Sequence, residues 1–149
     1  MREIRTDIEI DAPADRVWEI LTNLGAYPQW NPFIVEAAGD LRQGGRLELA
    51  IRPPGRKAMT FEPLVLEWQP PRRFVWLGRL GVRGIFDGKH IHEVEPLGEN
   101  RSRYTQREQF NGVLVPFMGG VLRDTKKGFE MMNEALKSGA EGPAAAERR

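Results

Sequence analysis

The segment GVLVPFMGGVLRDTKKGFEMMNEALKS, residues 112–138, is the part of the sequence that decides the fold, because it predicts a long helix with one apolar face. Its apolar residues recur at helical spacing and form one continuous stripe, with charged residues off it. The members of the stripe are Leu114, Phe117, Met118, Val121, Leu122, Thr125, Phe129, Met132 and Leu136. We therefore expect a helix from about Leu114 to Lys137 that buries the stripe. Gly119 and Gly120 each cost about 1 kcal/mol relative to alanine, which predicts a bend or a late start of the regular helix there.

The residues before this segment predict a β-sheet, against which the apolar face of the helix can be buried. Residues 4–10 alternate between apolar and polar side chains, as a half-buried strand does. Residues 14–30 then show helical spacing, interrupted at Gly25, and predict two short helices. Turn signals separate six further segments of strand length, at 33–39, 46–52, 57–68, 73–79, 83–95 and 101–110. The order predicts an α+β fold with a seven-stranded, curved antiparallel sheet around one long C-terminal helix.

The composition indicates a single domain and excludes several classes of function. The 149 residues carry 22 Lys+Arg and 21 Asp+Glu, a net charge of +1, so we expect no nucleic-acid partner. There is no cysteine, and therefore no disulfide framework or thiolate site. No dinucleotide fingerprint, phosphate-binding loop or Ser/His/Asp order occurs, and we expect no cofactor.

The domain is expected to span residues 1–139, because Gly139 and the pair Gly142-Pro143 are typical of a helix end, with a flexible tail at 140–149. The start of the chain lacks the apolar core of a secretory signal, and no 18-residue apolar run predicts a membrane span. A cytoplasmic location and a monomer or weak homodimer are the resulting expectations.

Several motifs, in this order and spacing, resemble the START-like or SRPBCC superfamily, also called the birch-pollen-allergen fold. They are Ile8-Glu-Ile-Asp-Ala-Pro13 with Val17-Trp18, Tyr27-Pro-Gln-Trp-Asn-Pro32, Gly88-Lys-His90, Glu108-Gln-Phe-Asn-Gly112 and Gly128-Phe-Glu-Met-Met-Asn133. The resemblance covers residues 1 to about 138 and is closest to the bacterial polyketide cyclase/dehydrase-like branch. It implies a helix-grip fold with a cavity for a small hydrophobic ligand between the sheet and the last helix.

The last predicted hairpin carries the residues that could perform chemistry. Phe86, Gly88, His90, His92 and Val94 share one face of the first strand, and Tyr104, Gln106, Glu108 and Phe110 share one face of the second. A turn near Leu97-Gly98 places His90 almost opposite Gln106 or Glu108. The functional interpretation is an acid–base pair, His90 and Glu108, whose pKa values are displaced by burial. The alternative is a polar network that holds the strands in register.

The same strand face also offers a candidate metal site. His90 and His92 lie two residues apart, and Glu108 would complete a set of two histidines and one carboxylate. Nothing else in the sequence supports this interpretation, and we predict no metal.

The remaining aromatic and stripe residues are candidates for the pocket wall or for ordinary core packing. The predicted ligand-binding residues are Trp30, Phe61, Trp76, Phe86, His90, His92, Tyr104, Gln106, Glu108, Phe117, Val121 and Phe129. A third alternative for this region is a hydrophobic mouth between Trp30, the loop near Leu80 and the start of the helix.

Three functions are compatible with these observations. The leading hypothesis is a carrier or sensor of a small hydrophobic molecule, lipid-like or polyketide-like. The second is an aromatase/cyclase-type enzyme in which His90 or Glu108 moves protons. The third, implied by the resemblance, is a protein-binding module similar to a co-chaperone. Whether the chain catalyses any reaction stays open at this stage.

Overall fold

The predicted C-terminal helix is α3 (Gly119–Glu141) in the computed structural model, which describes residues 1–142. Two shorter helices, α1 (Ala14–Thr22) and α2 (Tyr27–Trp30), follow the first strand and are separated by a 3-10 turn at Leu24–Ala26. A second 3-10 turn, Val115–Phe117, precedes α3. The two short helices and the long one agree with the sequence prediction. Within the described residues, no helix is both long and apolar enough to cross a membrane.

The strands form two antiparallel sheets that share one core. Their bounds are β1 (Arg2–Ile10), β2 (Ile34–Gly39), β3 (Leu47–Ile51), β4 (Met59–Phe61), β5 (Leu64–Gln69), β6 (Arg73–Arg79), β7 (Asp87–Gly98) and β8 (Arg101–Asn111). The larger sheet has the order β1-β8-β7-β6-β5, and the smaller has the order β2-β3-β4. Backbone hydrogen bonds such as Val65 N to Gly45 O, at 2.9 Å, join β5 to the chain that leads into β3.

The α+β helix-grip architecture is confirmed, but the predicted count of seven strands is wrong, since eight are present among the described residues. The difference arises in the predicted strand 57–68. Pro63 falls between β4 and β5 and has no N–H to donate to a ladder. Its carbonyl instead accepts a hydrogen bond from Leu47 N, at 2.9 Å, so the chain changes sheets at this proline.

Both ends of α3 differ from the predicted range of Leu114 to Lys137. The regular helix starts at Gly119, which is the late start predicted from Gly119 and Gly120, and Phe117 in the preceding turn is 84% exposed. The expectation that Phe117 is buried with the stripe is therefore wrong. At the other end Gly139 does not stop the helix, because Ala140 packs in the core and Glu141 accepts hydrogen bonds from Asp11 N and Lys137 Nζ, both at 2.6 Å. Residues 143–149 of the predicted tail lie outside the described residues.

The core lies between α3, α1 and the concave faces of the sheets. Leu122, Phe129, Met132 and Leu136 of the stripe are almost fully buried. Gly128 permits close packing here, because a Cβ at this position would overlap the ring of Phe33. The core ends short of the N-terminal part of α3, and a pocket begins there.

Candidate functional site

The pocket lies between the two sheets and the N-terminal half of α3, and has a volume of about 80 Å³. Its wall is predominantly apolar and draws on β3, β4, β6, β7, β8 and α3. The lining residues are Phe33, Leu49, Ile51, Pro53, Met59, Phe61, Pro63, Trp76, Gly78, Leu80, Phe86, Gly88, Glu108, Met118, Val121 and Thr125. Glu108 is the only ionisable residue among them. The pocket therefore combines an apolar wall with one acid, which is the usual composition of a small-molecule site.

The carboxyl group of Glu108 enters the pocket because of the residue beside it. Glu108 lies on β8 with a side chain that is 17% exposed, and Gly88 lies on the adjacent strand, two residue pairs along the ladder. A Cβ at Gly88 would clash with Oε2 of Glu108, so the glycine provides the space that the carboxyl group occupies. Burial raises the pKa of Glu108 to about 8, because the apolar surroundings disfavour the charged form. At neutral pH the group is therefore predominantly a carboxylic acid, able to donate a hydrogen bond.

His90 lies behind Glu108 and is 1% exposed. The ladder pairs the two residues directly, and Nδ1 of His90 lies 3.8 Å from Oε1 of Glu108. Burial lowers the pKa of His90 to about 4, against a smaller opposing effect from its hydrogen bond to Gln106. The imidazole is thus neutral at pH 7, and the two partners face each other as an uncharged acid and an uncharged base.

The hydrogen bonds of Gln106 determine which nitrogen of His90 carries the proton. Gln106 Nε2 donates to the carbonyl oxygen of Phe129 at 3.2 Å, and a carbonyl can only accept. Gln106 Oε1 therefore faces His90 Nε2, at 2.9 Å, and accepts its N–H. The lone pair of the ring then lies on Nδ1, on the side of Glu108. Gln106 also donates to Asn133 Oδ1 at 2.7 Å, and Asn133 Nδ2 donates to Thr6 Oγ1 at 3.0 Å, which ties the pair to α3 and β1.

Four rings stack in a column behind the pocket wall: Phe74, His92, His90 and Phe129. Their successive centroid distances are 4.5, 4.1 and 4.8 Å, with interplanar angles of 17°, 16° and 20°. His92 Nδ1 lies 2.6 Å from the hydroxyl of Tyr104, and burial holds the pKa of His92 well below its usual value. The in-plane lone pairs of two stacked imidazoles do not converge on one point. Within residues 1–142 no three His, Asp or Glu side chains are grouped to hold a metal ion.

The residues predicted for ligand binding divide into three sets. The first lines the pocket and comprises Phe61, Trp76, Phe86, Glu108 and Val121. The second is buried behind its wall and comprises His90, His92, Tyr104, Gln106 and Phe129. The third does not line the pocket: Trp30 packs edge-on against Tyr27, and the side chain of Phe117 is exposed.

Several lining residues were not among the predicted site residues. They include Phe33, Leu49, Ile51, Met59 and Gly88. The alternation in β3 was a usable signal, because Leu47, Leu49 and Ile51 share one face. The alternation does not reveal that the second sheet closes over the first, and so it does not identify this face as a pocket wall.

The sequence of residues 1–141 matches the family described as polyketide cyclase/dehydrase and lipid transport. The chain belongs to this family. No curated protein matches the sequence. The fold is shared with solved structures of the START-like superfamily, all at low sequence identity.

Three solved structures illustrate the likeness. The Zhui aromatase/cyclase from Streptomyces sp. R1128 is 16% identical, with 94% of this chain and 93% of that chain covered and a TM-score of 0.77. A START superfamily protein from Mycobacterium smegmatis is 21% identical, with coverages of 93% and 97% and a TM-score of 0.74. The di-domain aromatase/cyclase BexL is also 21% identical, with a TM-score of 0.73, and this chain covers 45% of its length. At such identities the likeness is one of fold.

Proposed function

We propose that the protein binds a small hydrophobic molecule with a hydrogen-bond acceptor, such as a carbonyl, and holds that acceptor at Glu108. The observation that carries the proposal is a single acid, uncharged at neutral pH, in an otherwise apolar pocket. A donor of this kind adds orientation and selectivity to apolar burial. Uptake and release of such a ligand describe a carrier or sensor, which is compatible with the lipid transport in the family's description.

The volume of the pocket limits what it accepts without rearrangement. About 80 Å³ is well below the roughly 300 Å³ of a typical small-molecule site. Met59 and Met118 line the pocket, and unbranched methionine side chains change rotamer readily. We expect a lipid-like or polyketide-like ligand to enter by displacing these two side chains, while Trp76 and Glu108 stay in place.

Tryptophan fluorescence tests whether a ligand occupies this pocket. Trp76 lines it and Trp30 does not, so Trp76→Phe and Trp30→Phe are matched variants. Native mass spectrometry of freshly purified protein supplies candidate ligands. A bound candidate is expected to quench the wild type and Trp30→Phe, and to lose most of its effect in Trp76→Phe. Quenching that survives in Trp76→Phe would place the ligand elsewhere.

The role of Glu108 is tested with a pair of ligands of the same shape, one a ketone and one a hydrocarbon. Glu108→Leu is expected to weaken binding of the ketone by about tenfold, since a hydrogen bond contributes about 1 kcal/mol or more. Binding of the hydrocarbon is expected to change less than threefold. Equal losses for both ligands would contradict a hydrogen-bonding role.

A second candidate function is an aromatase/cyclase-type enzyme, and the pairing of Glu108 with His90 is what favours it. The carboxylic acid of Glu108, which faces the Nδ1 lone pair of His90, can donate its proton to a ligand carbonyl. The carboxylate that remains can take a proton from the carbon next to that carbonyl, so that the enol of the ligand forms and the acid is restored. Incubation with a polyketide-like chain, followed by mass spectrometry, tests this candidate. Glu108→Gln, which keeps a hydrogen-bond donor but has no transferable acid proton, is expected to retain binding and lose turnover. If the wild type binds the polyketide-like chain and forms no product, the enzyme candidate is excluded and the carrier function remains.

A further inference from the structure

Exposed apolar side chains are concentrated at the end of the molecule where the pocket opens. Among residues 1–142, seven large apolar side chains are exposed: Met1, Met59, Val82, Val113, Leu114, Phe117 and Met131. Four of them, Val82, Val113, Leu114 and Phe117, form what we call the apolar tip. Phe117 and Val113 are the most exposed of these four, at 84% and 69%.

Backbone hydrogen bonds hold the two segments of the apolar tip together. Val113 N donates to Gly84 O at 3.0 Å, and Leu114 N donates to Ile85 O at 3.1 Å. The loop between β6 and β7 is thereby tied to the connection between β8 and α3. The backbone therefore fixes the two segments relative to each other, and together they expose the four apolar side chains of the tip.

The apolar tip adjoins the mouth of the pocket. Leu80 and Phe86, at the two ends of the loop that carries Val82, both line the pocket. Met118, the residue after Phe117, lines it as well. A surface that covered the tip would therefore lie over the mouth.

The segments around the mouth are strongly basic, although the whole chain is nearly neutral. Segments 52–63, 79–89 and 112–127 contain nine Lys or Arg and three Asp or Glu, a net charge of +6. The chain as a whole carries +1, so the remainder carries −5. Two of the three acidic residues are paired within the region: Asp87 with Arg79 at 3.4 Å and Asp124 with Arg56 at 2.7 Å.

Three arginines also converge beside Phe117. Guanidinium nitrogens of Arg2, Arg56 and Arg123 lie within 3.8 Å of the positions that Cβ atoms would take at Gly119 and Gly120. Positive charge is thus grouped at the base of the apolar tip. The near-zero net charge of the sequence concealed this asymmetry.

We propose that the apolar tip and its basic surround form a docking surface for an anionic lipid bilayer, which brings the pocket mouth to the membrane. Apolar side chains enter the boundary between headgroups and acyl chains, and basic residues near the surface add electrostatic attraction to anionic lipids. Phe and Leu are typical of the apolar faces that insert at this depth. An acidic protein would match the same charge, and binding to lipid vesicles in the absence of any protein partner distinguishes the two.

Vesicle flotation tests the proposal with two matched variants. Phe117→Ser removes the most exposed residue of the tip, and Met131→Ser removes an exposed apolar residue from the middle of α3. The wild type is expected to bind vesicles of phosphatidylcholine with roughly one third phosphatidylglycerol, and to leave pure phosphatidylcholine mostly unbound. Phe117→Ser is expected to lower the partition coefficient about tenfold, corresponding to loss of a partly inserted aromatic side chain. Met131→Ser should stay within twofold of the wild type.

The charge contribution is measured by adding salt and by Arg83→Glu, both of which should weaken binding to anionic vesicles. Neither Phe117 nor Arg83 is part of the core, so both variants are expected to fold. Thermal unfolding of each variant is the control for this. Salt-sensitive binding that is unaffected by Phe117→Ser would mean that the apolar tip does not enter the bilayer and would overturn the proposal, as would no vesicle binding at all. The proposal rests on the proposed function only for what happens after docking. Vesicle binding is measured without a ligand, so the two can fail separately.

Discussion

The Nδ1 atom of His90 lies 3.8 Å from Oε1 of Glu108, and burial leaves both side chains uncharged at neutral pH. The displacements of their pKa values are opposite, as expected when desolvation penalises the charged form of each group. Glu108 is the acid in the pocket and His90 is the base behind it. Both candidate functions, the carrier and the aromatase/cyclase-type enzyme, are proposed from this arrangement. The displaced pKa values also affect stability in a way that can be measured.

The stability of the fold is expected to be greatest near pH 6.5. His90 has a folded pKa of about 4 and His92 one well below 6.5, so on acidification the unfolded state binds more protons and stability falls below pH 6.5. Glu108, with a folded pKa of about 8 against 4.5, keeps a proton that the unfolded chain loses. Its contribution therefore falls as pH rises. Between pH 6.5 and 8 the free energy of unfolding should decline by up to about 1.4 kcal/mol per pH unit from this group.

Glu108→Gln is the variant that isolates this effect. Urea unfolding between pH 5 and 9 is expected to show a flatter alkaline side for the variant than for the wild type. Surface groups contribute to both proteins, so the difference between the two curves reports Glu108. Parallel curves would mean that the carboxyl group has an ordinary pKa.

Gly88→Ala is expected to displace the carboxyl group of Glu108, because the new Cβ would occupy the position of Oε2. Gly78 also lines the pocket and pairs with Gly88, but a Cβ there would meet nothing within 4 Å. Gly88→Ala should weaken binding of a carbonyl ligand about tenfold, because the displaced acid loses its hydrogen bond to the carbonyl and such a bond contributes about 1 kcal/mol or more. Gly78→Ala should stay within threefold. Similar affinities for the two variants, measured by calorimetry, would count against the positioning role of Gly88.

Phe129→Ala should lower the free energy of unfolding by about 3–5 kcal/mol through lost burial and the cavity left behind. Phe129 is fully buried between His90 and Phe33, whereas Phe117 on the same predicted stripe is exposed. Phe117→Ala should change stability by less than about 0.5 kcal/mol. Urea unfolding of both variants gives the comparison, and a cost below 1 kcal/mol for Phe129→Ala would contradict the described packing.

Apolar fluorescent probes distinguish a pocket that opens from one that stays closed. If the methionine side chains yield, a probe should bind with 1:1 stoichiometry and stabilise the fold by about 2.7 kcal/mol at 100 times its Kd. For a chain of this size that corresponds to a rise in Tm of several degrees. A varied panel should include fatty acids, flavonoid-like aromatics and sterols. If every member leaves Tm unchanged or lowers it, the carrier function is excluded.

The sequence alone determined the layers and the strand faces, and it left two candidates for the central pairing. Alternating apolar residues placed His90, Gln106 and Glu108 on one inner face, and a predicted turn near Leu97-Gly98 left His90 opposite either Gln106 or Glu108. The turn lies two residues later, at Glu99-Asn100, and the resulting register pairs His90 with Glu108. The stripe on α3 likewise predicted burial of Phe129, Met132 and Leu136. These features follow from local periodicity and turn chemistry, which a single sequence carries.

Only the tertiary structure decided which of these side chains meets the pocket and which lies behind it. Glu108 reaches the pocket because Gly88 on the neighbouring strand leaves room for its carboxyl group, and His90 is enclosed because Phe129 and His92 stack on its two faces. The exposure of Phe117 depends on where the first regular turn of α3 begins. Each outcome depends on contacts between segments far apart in the chain, and periodicity within one segment does not encode such contacts.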